Sequence, residues 1–175
     1  MEYFTKDELR RLFKVAHDSN KLHHLCMVIG LWNGARVSEV VNLTGNDVFD
    51  GKIRLERLKG SVTTCHPVHV DANPLFDASP VLKLAKEKGS NLLFPFSRQR
   101  VDQFMKKYGE QAGIHKSKCH FHSMKHSVSM MLWQETKDLG QLQNFLGHKA
   151  ASSTLIYLRE NDVTKAQKAL ENIKI

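Results

Sequence analysis

Only one stretch of this 175-residue chain reads as β-structure, and that confines the fold more than any other feature. Residues 52–58 are followed by Lys59-Gly60-Ser61 and then by residues 62–70, where Val62, Thr64, Val68 and Val70 alternate at period two. Asn46-Asp47 and Asp50-Gly51 are turn signals that precede the stretch. The pattern predicts a two- or three-stranded antiparallel sheet with Lys59 near a hairpin turn. Pro67 cannot donate to a central ladder, so its strand is expected at an edge or with a bulge.

Everything else carries helical spacing. Thr5-x-x-Glu8 is a capping-box pattern that opens a helix over residues 5–18, with Leu9, Leu12, Phe13 and Ala16 on its apolar face. Residues 21–33 hold Leu22, Leu25, Val28, Ile29 and Trp32 and predict a more buried helix, which Gly34 ends. A short helix is expected over 35–43. Beyond Pro74, helices are expected over 79–88, 97–112, 122–135 and 139–146, with a short one near 151–157 and a last one over 162–172. The class is mostly α with a small antiparallel β-sheet (α+β).

Composition narrows the partners. Lys plus Arg total 26 against 18 Asp plus Glu, for a net charge of +8. So basic a chain points to a polyanion, nucleic acid first among them. No apolar stretch approaches the ~18 residues of a membrane span, and no helix is basic on one face and apolar on the other. The first residues are polar and acidic, without the pattern of a signal peptide. Cys26, Cys65 and Cys119 are odd in number and far apart, which fits a reducing, cytoplasmic setting.

Several polar residues lie against apolar runs. Arg36 and Glu39 are one turn apart after Gly34; alone they read as a weak surface ion pair or as an arginine held to clamp a phosphate. Cys119-His120-Phe121-His122-Ser123-Met124-Lys125-His126 is dense in imidazole. Met124, Val128, Met131 and Leu132 give it an apolar face, while His122, Lys125 and His126 share another. With His115 these residues match no common zinc spacing, so no metal is expected. Leu146-Gly147-His148 is followed nine residues later by Tyr157.

In this order, Arg36-x-x-Glu39, a hairpin Lys59, His122-x-x-Lys125-His126, Leu146-Gly147-His148 and Tyr157 together resemble the tyrosine recombinases, the lambda-integrase or phage-integrase family. Asn33-Gly34-Ala35-Arg36-Val37-Ser38-Glu39 is similar to the family's segment around its first arginine. The resemblance runs from about Phe4 to Ile175 and implies the fold of the family's catalytic domain. Residues 1–175 are accordingly read as one catalytic domain, without the N-terminal DNA-clamp domain that many members carry.

The resemblance implies DNA cleavage and rejoining through a 3′-phosphotyrosyl link, with no metal, nucleotide or other cofactor. Tyr157 would be the nucleophile, and Arg36 would clamp the phosphate under orientation by Glu39. Lys59 would protonate the departing 5′ oxygen. His122 would assist proton transfer at the tyrosine oxygen, His148 would donate to the phosphate, and His126 would buttress the site. The family usually has arginine where this chain has Lys125, a compact point charge in place of a planar fork. An active or attenuated enzyme is expected. The alternatives are a DNA-binding relative with impaired catalysis and strand cleavage of the type IB topoisomerase kind. Double-stranded DNA is the implied partner, with self-association into a synaptic tetramer through the C-terminal helix. A DNA-associated, cytoplasmic protein of a mobile element is the natural setting.

Overall fold

A computed structural model describes residues 2–58 and 60–158. The sheet is built where expected but is smaller. Strands β1 (Val48–Phe49), β2 (Lys52–Leu55) and β3 (Thr64–Pro67) form an antiparallel sheet in the order β1-β2-β3. Asp50 and Gly51, both at positive φ, turn β1 into β2. Pro67 lies opposite Lys52 on the edge strand β3, where no ladder N–H is required of it. The expected extension to 62–70 does not form. The Val62 N–H is 2.8 Å from the carbonyl of Gly147 and so leaves the ladder, and Val62 and Val70 are exposed. The period-two pattern read as one strand is therefore a short strand between two loop segments.

The helices follow local chemistry closely. In α1 (Lys6–Ser19) the Thr5 hydroxyl accepts from the Glu8 N–H, and the Glu8 carboxylate accepts from the Thr5 N–H. Helix α2 (Lys21–Trp32) starts at Asn20, whose side chain accepts from the Leu22 and His23 N–H groups. Its residues from His23 to Leu31 are all buried, so it forms the central strut of the domain. Helices α4 (Pro80–Lys88), α5 (Arg98–Gln111), α6 (Phe121–Thr136) and α7 (Leu139–Leu146) lie at the expected positions. The expected helix over 35–43 is only α3 (Val37–Val41). The segment 151–157 is two 3-10 turns, Ala151–Ser153 and Leu155–Tyr157. The helix expected over 162–172 and the side chain of Lys59 lie outside the described residues.

Helices α1, α2, α5 and α6 close around the main core, with Leu12, Phe13, Met27, Ile29, Met105 and Met124 fully buried. A second, smaller cluster joins Met130 and Trp133 of α6, Leu142 and Leu146 of α7, and Tyr157. Helix α6 lies between the two clusters. That explains why it is buried on nearly every side and not only along the face of Met124 and Val128.

Gly34 governs how the two halves meet. Its φ is +52°, and a β-carbon there would lie 2.9 Å from the Phe145 ring and 3.0 Å from Leu146. The end of α2 thus turns sharply while pressed against α7. Gly34→Ala combines left-handed strain with overpacking and is expected to destabilise the fold by ~2 kcal/mol or more. Urea denaturation of the variant against the wild type measures this.

Candidate active site

The turn at Gly34 delivers Arg36 as the N-cap of α3, with Glu39 three residues on. This is not the exposed ion pair that its spacing allows. The Glu39 side chain is fully buried, and its two oxygens accept four hydrogen bonds. The Arg36 N–H donates to Oε2 at 2.8 Å, and Arg36 Nη1 donates to Oε1 at 2.8 Å. Arg57 Nη1 donates to Oε2 at 3.2 Å, and the Leu58 N–H donates to Oε1 at 3.1 Å. Burial would raise the Glu39 pKa, but the backbone donors at Arg36 and Leu58, the Arg36 side chain and the Arg57 charge together hold it below the usual carboxylate value. Glu39 is therefore an anion at neutral pH.

Sequence reasoning missed Arg57. Its side chain is fully buried and lies at the junction of α2, α3, β3 and α7. The only signal was an arginine two residues before the hairpin lysine, and that was read as one more strand residue.

Arg36 is only partly buried, with 23% of its side chain exposed. Among the described residues its Nη1 bonds Glu39 and the Leu58 carbonyl, while Nε and Nη2 bond nothing. One edge of the guanidinium fork is thus held and the other is open. Lys125 lies nearby on α6 but not on an exposed face with His122. Lys125 is 2% exposed, and its Nζ has no hydrogen-bond partner among the described residues. Burial, and then the charge of Arg36, lower its pKa to about 8 against the pull of Glu39. A buried ammonium without an acceptor is costly.

His148 follows Gly147, which ends α7 at a φ of +67°. The His148 N–H donates to the Gln143 carbonyl, and its Nδ1 lies 3.0 Å from the Thr154 hydroxyl. That fixes the ring and leaves Nε2 open among the described residues. Burial and then the charges of Lys125 and Arg36 lower the His148 pKa to about 4, so the imidazole is neutral at pH 7.

Tyr157 is buried at 1% exposure, and its hydroxyl is 3.2 Å from Nδ1 of His126. Burial raises its pKa above the ordinary phenol value against the pull of the Ser129 hydroxyl and the Arg36 charge, so it is held as the phenol. Burial and the neighbouring His122 lower the His126 pKa to about 4. His122 itself is exposed, with its ring 4.3 Å from that of His126 and edge-on to it. The structure therefore brings together Arg36, Glu39, Lys125, His148, His126 and Tyr157. His122 lies at the rim, beside a cleft of about 640 Å³ also lined by Arg98, Gln99 and Asp102. Lys59 falls outside the described residues, but the flanking Leu58 is tied to Glu39. Among the described residues no three His, Cys, Asp or Glu side chains are grouped as a metal would require.

A site of this kind can bind one phosphodiester with several donors and present a phenol to it. Its charge balance depends on ionised Glu39. The folded pKa of Glu39 is depressed, so its stabilising contribution is complete above the unfolded value of about 4.5 and is lost as pH falls through the lower folded value. Glu39→Gln is expected to cost about 3 kcal/mol at pH 7. The gap to wild type should narrow below pH ~4.5. Urea denaturation of both proteins across pH checks this, and a gap constant down to acid would contradict an ionised Glu39.

Comparison with known proteins identifies the family and the fold. The family model described as "Phage integrase family" matches residues 2–163. Tyrosine recombinase XerA of Thermococcus kodakarensis is 29% identical over 184 residues, covering 98% of this chain and 62% of the relative. This chain therefore spans under two thirds of the length of that relative. The crystal structure of XerA recombinase superposes with a TM-score of 0.75 at 22% identity, covering all of this chain and 65% of that one. XerH site-specific recombinase bound to its difH substrate gives 0.75 at 19% identity, over 98% of this chain and 54% of that one. With a family match over most of its length and the fold of such catalytic domains, the chain belongs to the phage integrase family.

Proposed function

We propose that this chain cleaves and rejoins duplex DNA site-specifically through a 3′-phosphotyrosyl intermediate at Tyr157. The observation that carries the reading is the buried, unpartnered Nζ of Lys125 next to an Arg36 whose guanidinium is held on one edge and open on the other. Arg36, Arg57 and Lys125 outnumber the one buried carboxylate among them, Glu39, and the surplus positive charge makes a receptor for one phosphate. The +8 charge and the DNA-bound relative XerH support DNA as the source of that phosphate.

In this reading the Tyr157 hydroxyl passes its proton to the His122 imidazole and its oxygen bonds to phosphorus. The bond from phosphorus to the 5′ oxygen breaks, and the Lys59 ammonium gives that oxygen its proton. Arg36, Lys125 and His148 donate to the non-bridging oxygens, where charge accumulates in the transition state. His148 does so as a neutral imidazole, consistent with its low pKa and its Nδ1 contact to Thr154. His122 at the rim assists proton transfer, and His126 supports the tyrosine. A second strand reverses the sequence, so no cofactor is consumed. Exchange between two duplexes calls for several protomers, and the C-terminal segment over 162–172, which the sequence predicts to be helical, is the one we assign to that contact.

Tyr157 has to leave His126 to reach a phosphate. In the turn that carries it Leu155 and Ile156 are exposed, while Thr154 before them is buried against His148.

Lys125 sets the rate in this reading. It offers one point charge where a guanidinium would offer two aligned donors, which costs less than deleting the ~10²–10³-fold contribution of a well-placed donor. Lys125 is charged below about pH 8 and neutral above it, so second-order cleavage by the free enzyme should fall as pH rises through that value. Lys125→Arg should remove that limb and raise the rate by about 10-fold at pH 9. The measurement is detergent-trapped, protease-sensitive adduct on DNA carrying the flanks of the gene, in EDTA, with Tyr157→Phe as the control. An adduct that survives Tyr157→Phe would sink the assignment. An adduct seen only with Lys125→Arg would show a DNA-binding relative whose catalysis is impaired.

A further inference from the structure

Arg57 stands apart from every group used so far, because it is buried, cationic and faces no substrate. Its five N–H donors are all engaged, the full capacity of a guanidinium. Nε donates to the Thr64 hydroxyl at 2.9 Å. Nη1 donates to the Gly34 carbonyl at 3.1 Å and to Glu39 Oε2 at 3.2 Å. Nη2 donates to the Asn33 carbonyl at 2.7 Å and to the Phe145 carbonyl at 3.2 Å. These acceptors are not scattered. Arg36 comes two residues after Gly34, Lys59 two residues after Arg57 itself, and His148 three residues after Phe145. One planar group therefore ties the backbone just before Arg36 and just before His148 to the residue two before Lys59.

The ends of the segment that carries Lys59 are held by the same assembly. The Leu58 N–H is on Glu39 Oε1 at 3.1 Å, and the Val62 N–H is on the Gly147 carbonyl at 2.8 Å. Gly147 has no room for a side chain here, since a β-carbon would lie 2.5 Å from the Val62 carbonyl oxygen and 3.2 Å from Arg57 Cγ. Leu58, Val62, the end of α7 and Arg57 are thus packed as one body.

The charges add a second consequence. Glu39 faces two arginines, so the trio carries one net positive charge. Without Arg57, the whole carboxylate charge would fall on Arg36 and cancel the attraction that Arg36 offers a phosphate.

We propose that Arg57 is a positioning residue of the strand-cleavage site, which neutralises Glu39 so that the charge of Arg36 stays available and holds the Arg36, Lys59 and His148 segments in one register. This inference rests on the tyrosine-recombinase reading for its chemistry, but its geometry is independent of it. The Arg57 side chain is fully buried and spends its five donors on protein groups, so removing it acts on cleavage through the groups it holds.

The test compares wild type, Arg57→Gln, Arg57→Lys and the double variant Arg57→Gln/Glu39→Gln on a site-bearing duplex. Arg57→Gln is expected to slow adduct formation by about 10²-fold while DNA affinity stays within about 2-fold. Removing the Glu39 charge in that background should recover about 10-fold, because Arg36 is then no longer cancelled. A purely structural role gives the opposite order, with the double variant worse than the single one. Arg57→Lys keeps a cation against Glu39 and is the variant to rely on if Arg57→Gln does not melt cooperatively; its rate should fall between wild type and Arg57→Gln, or well below wild type where Arg57→Gln cannot be measured. Wild-type cleavage in either single variant, or losses that merely track DNA affinity, would overturn the proposal. Amide exchange separates the two readings. Faster exchange at Leu58 and Val62 in Arg57→Lys, with α1 unchanged, supports the positioning role even if the wild type forms no adduct and the recombinase reading itself fails. Unchanged exchange there, or an equal rise throughout the chain, would overturn it.

Discussion

A buried carboxylate, Glu39, is the constraint on which the rest of this site depends. It lies in a pocket with no access to water, and it is ionised because four donors converge on it. Each donor comes from a residue that the site needs in place. The Arg36 N–H and Nη1 fix the start of α3, Arg57 brings in the ends of α2 and α7, and Leu58 leads into the lysine hairpin. A buried ion pair is seldom a gain in stability over an apolar replacement. Its value here is directional, since a fully used set of donors and acceptors admits one arrangement of the four elements.

The sequence disclosed most where structure is decided locally. The Thr5 and Glu8 box and the glycine at 34 act within a few residues, so the start of α1 and the end of α2 could be read from the chain alone. The site order from Arg36 to Tyr157 was legible because the types and spacings are unusual together. What could not be read was long-range. Arg57 binds acceptors 24 and 88 residues away in opposite directions along the chain, and no local pattern signals such bonds. The sheet came out short for the same reason, since Val62 takes a partner at Gly147 instead of one on β2.

Helix α6 shows how burial on all sides alters the reading of a helix. Its periodic face of Met124 and Val128 was evident, but Ser123, Ser127 and Ser129 are buried as well. The Ser127 and Ser129 hydroxyls donate to carbonyls one turn back, at 2.7 Å each, and Ser127 also accepts the Phe4 N–H from the start of the chain. Small polar side chains that bond their own helix satisfy themselves and let neighbours approach closely. Lys125 has no such recourse. The sequence placed it on one face with His122 and His126, but His122 is exposed and Lys125 is buried because α6 is covered on nearly every side.

The cost of Lys125 is therefore informative about what the site is for. A cation held without an acceptor, beside Arg36 and Arg57, weakens the folded state when it is charged, and its pKa near 8 reflects that penalty. An arginine at the same place would carry an even firmer charge, with a planar fork able to take two oxygens at once. A lysine can lose its proton and relax, which lowers the strain of the free protein. In the proposed reading a bound phosphate would reverse the balance, supplying the acceptor that the interior lacks and raising the lysine pKa again, so that one interaction weakens the free protein and rewards the bound one.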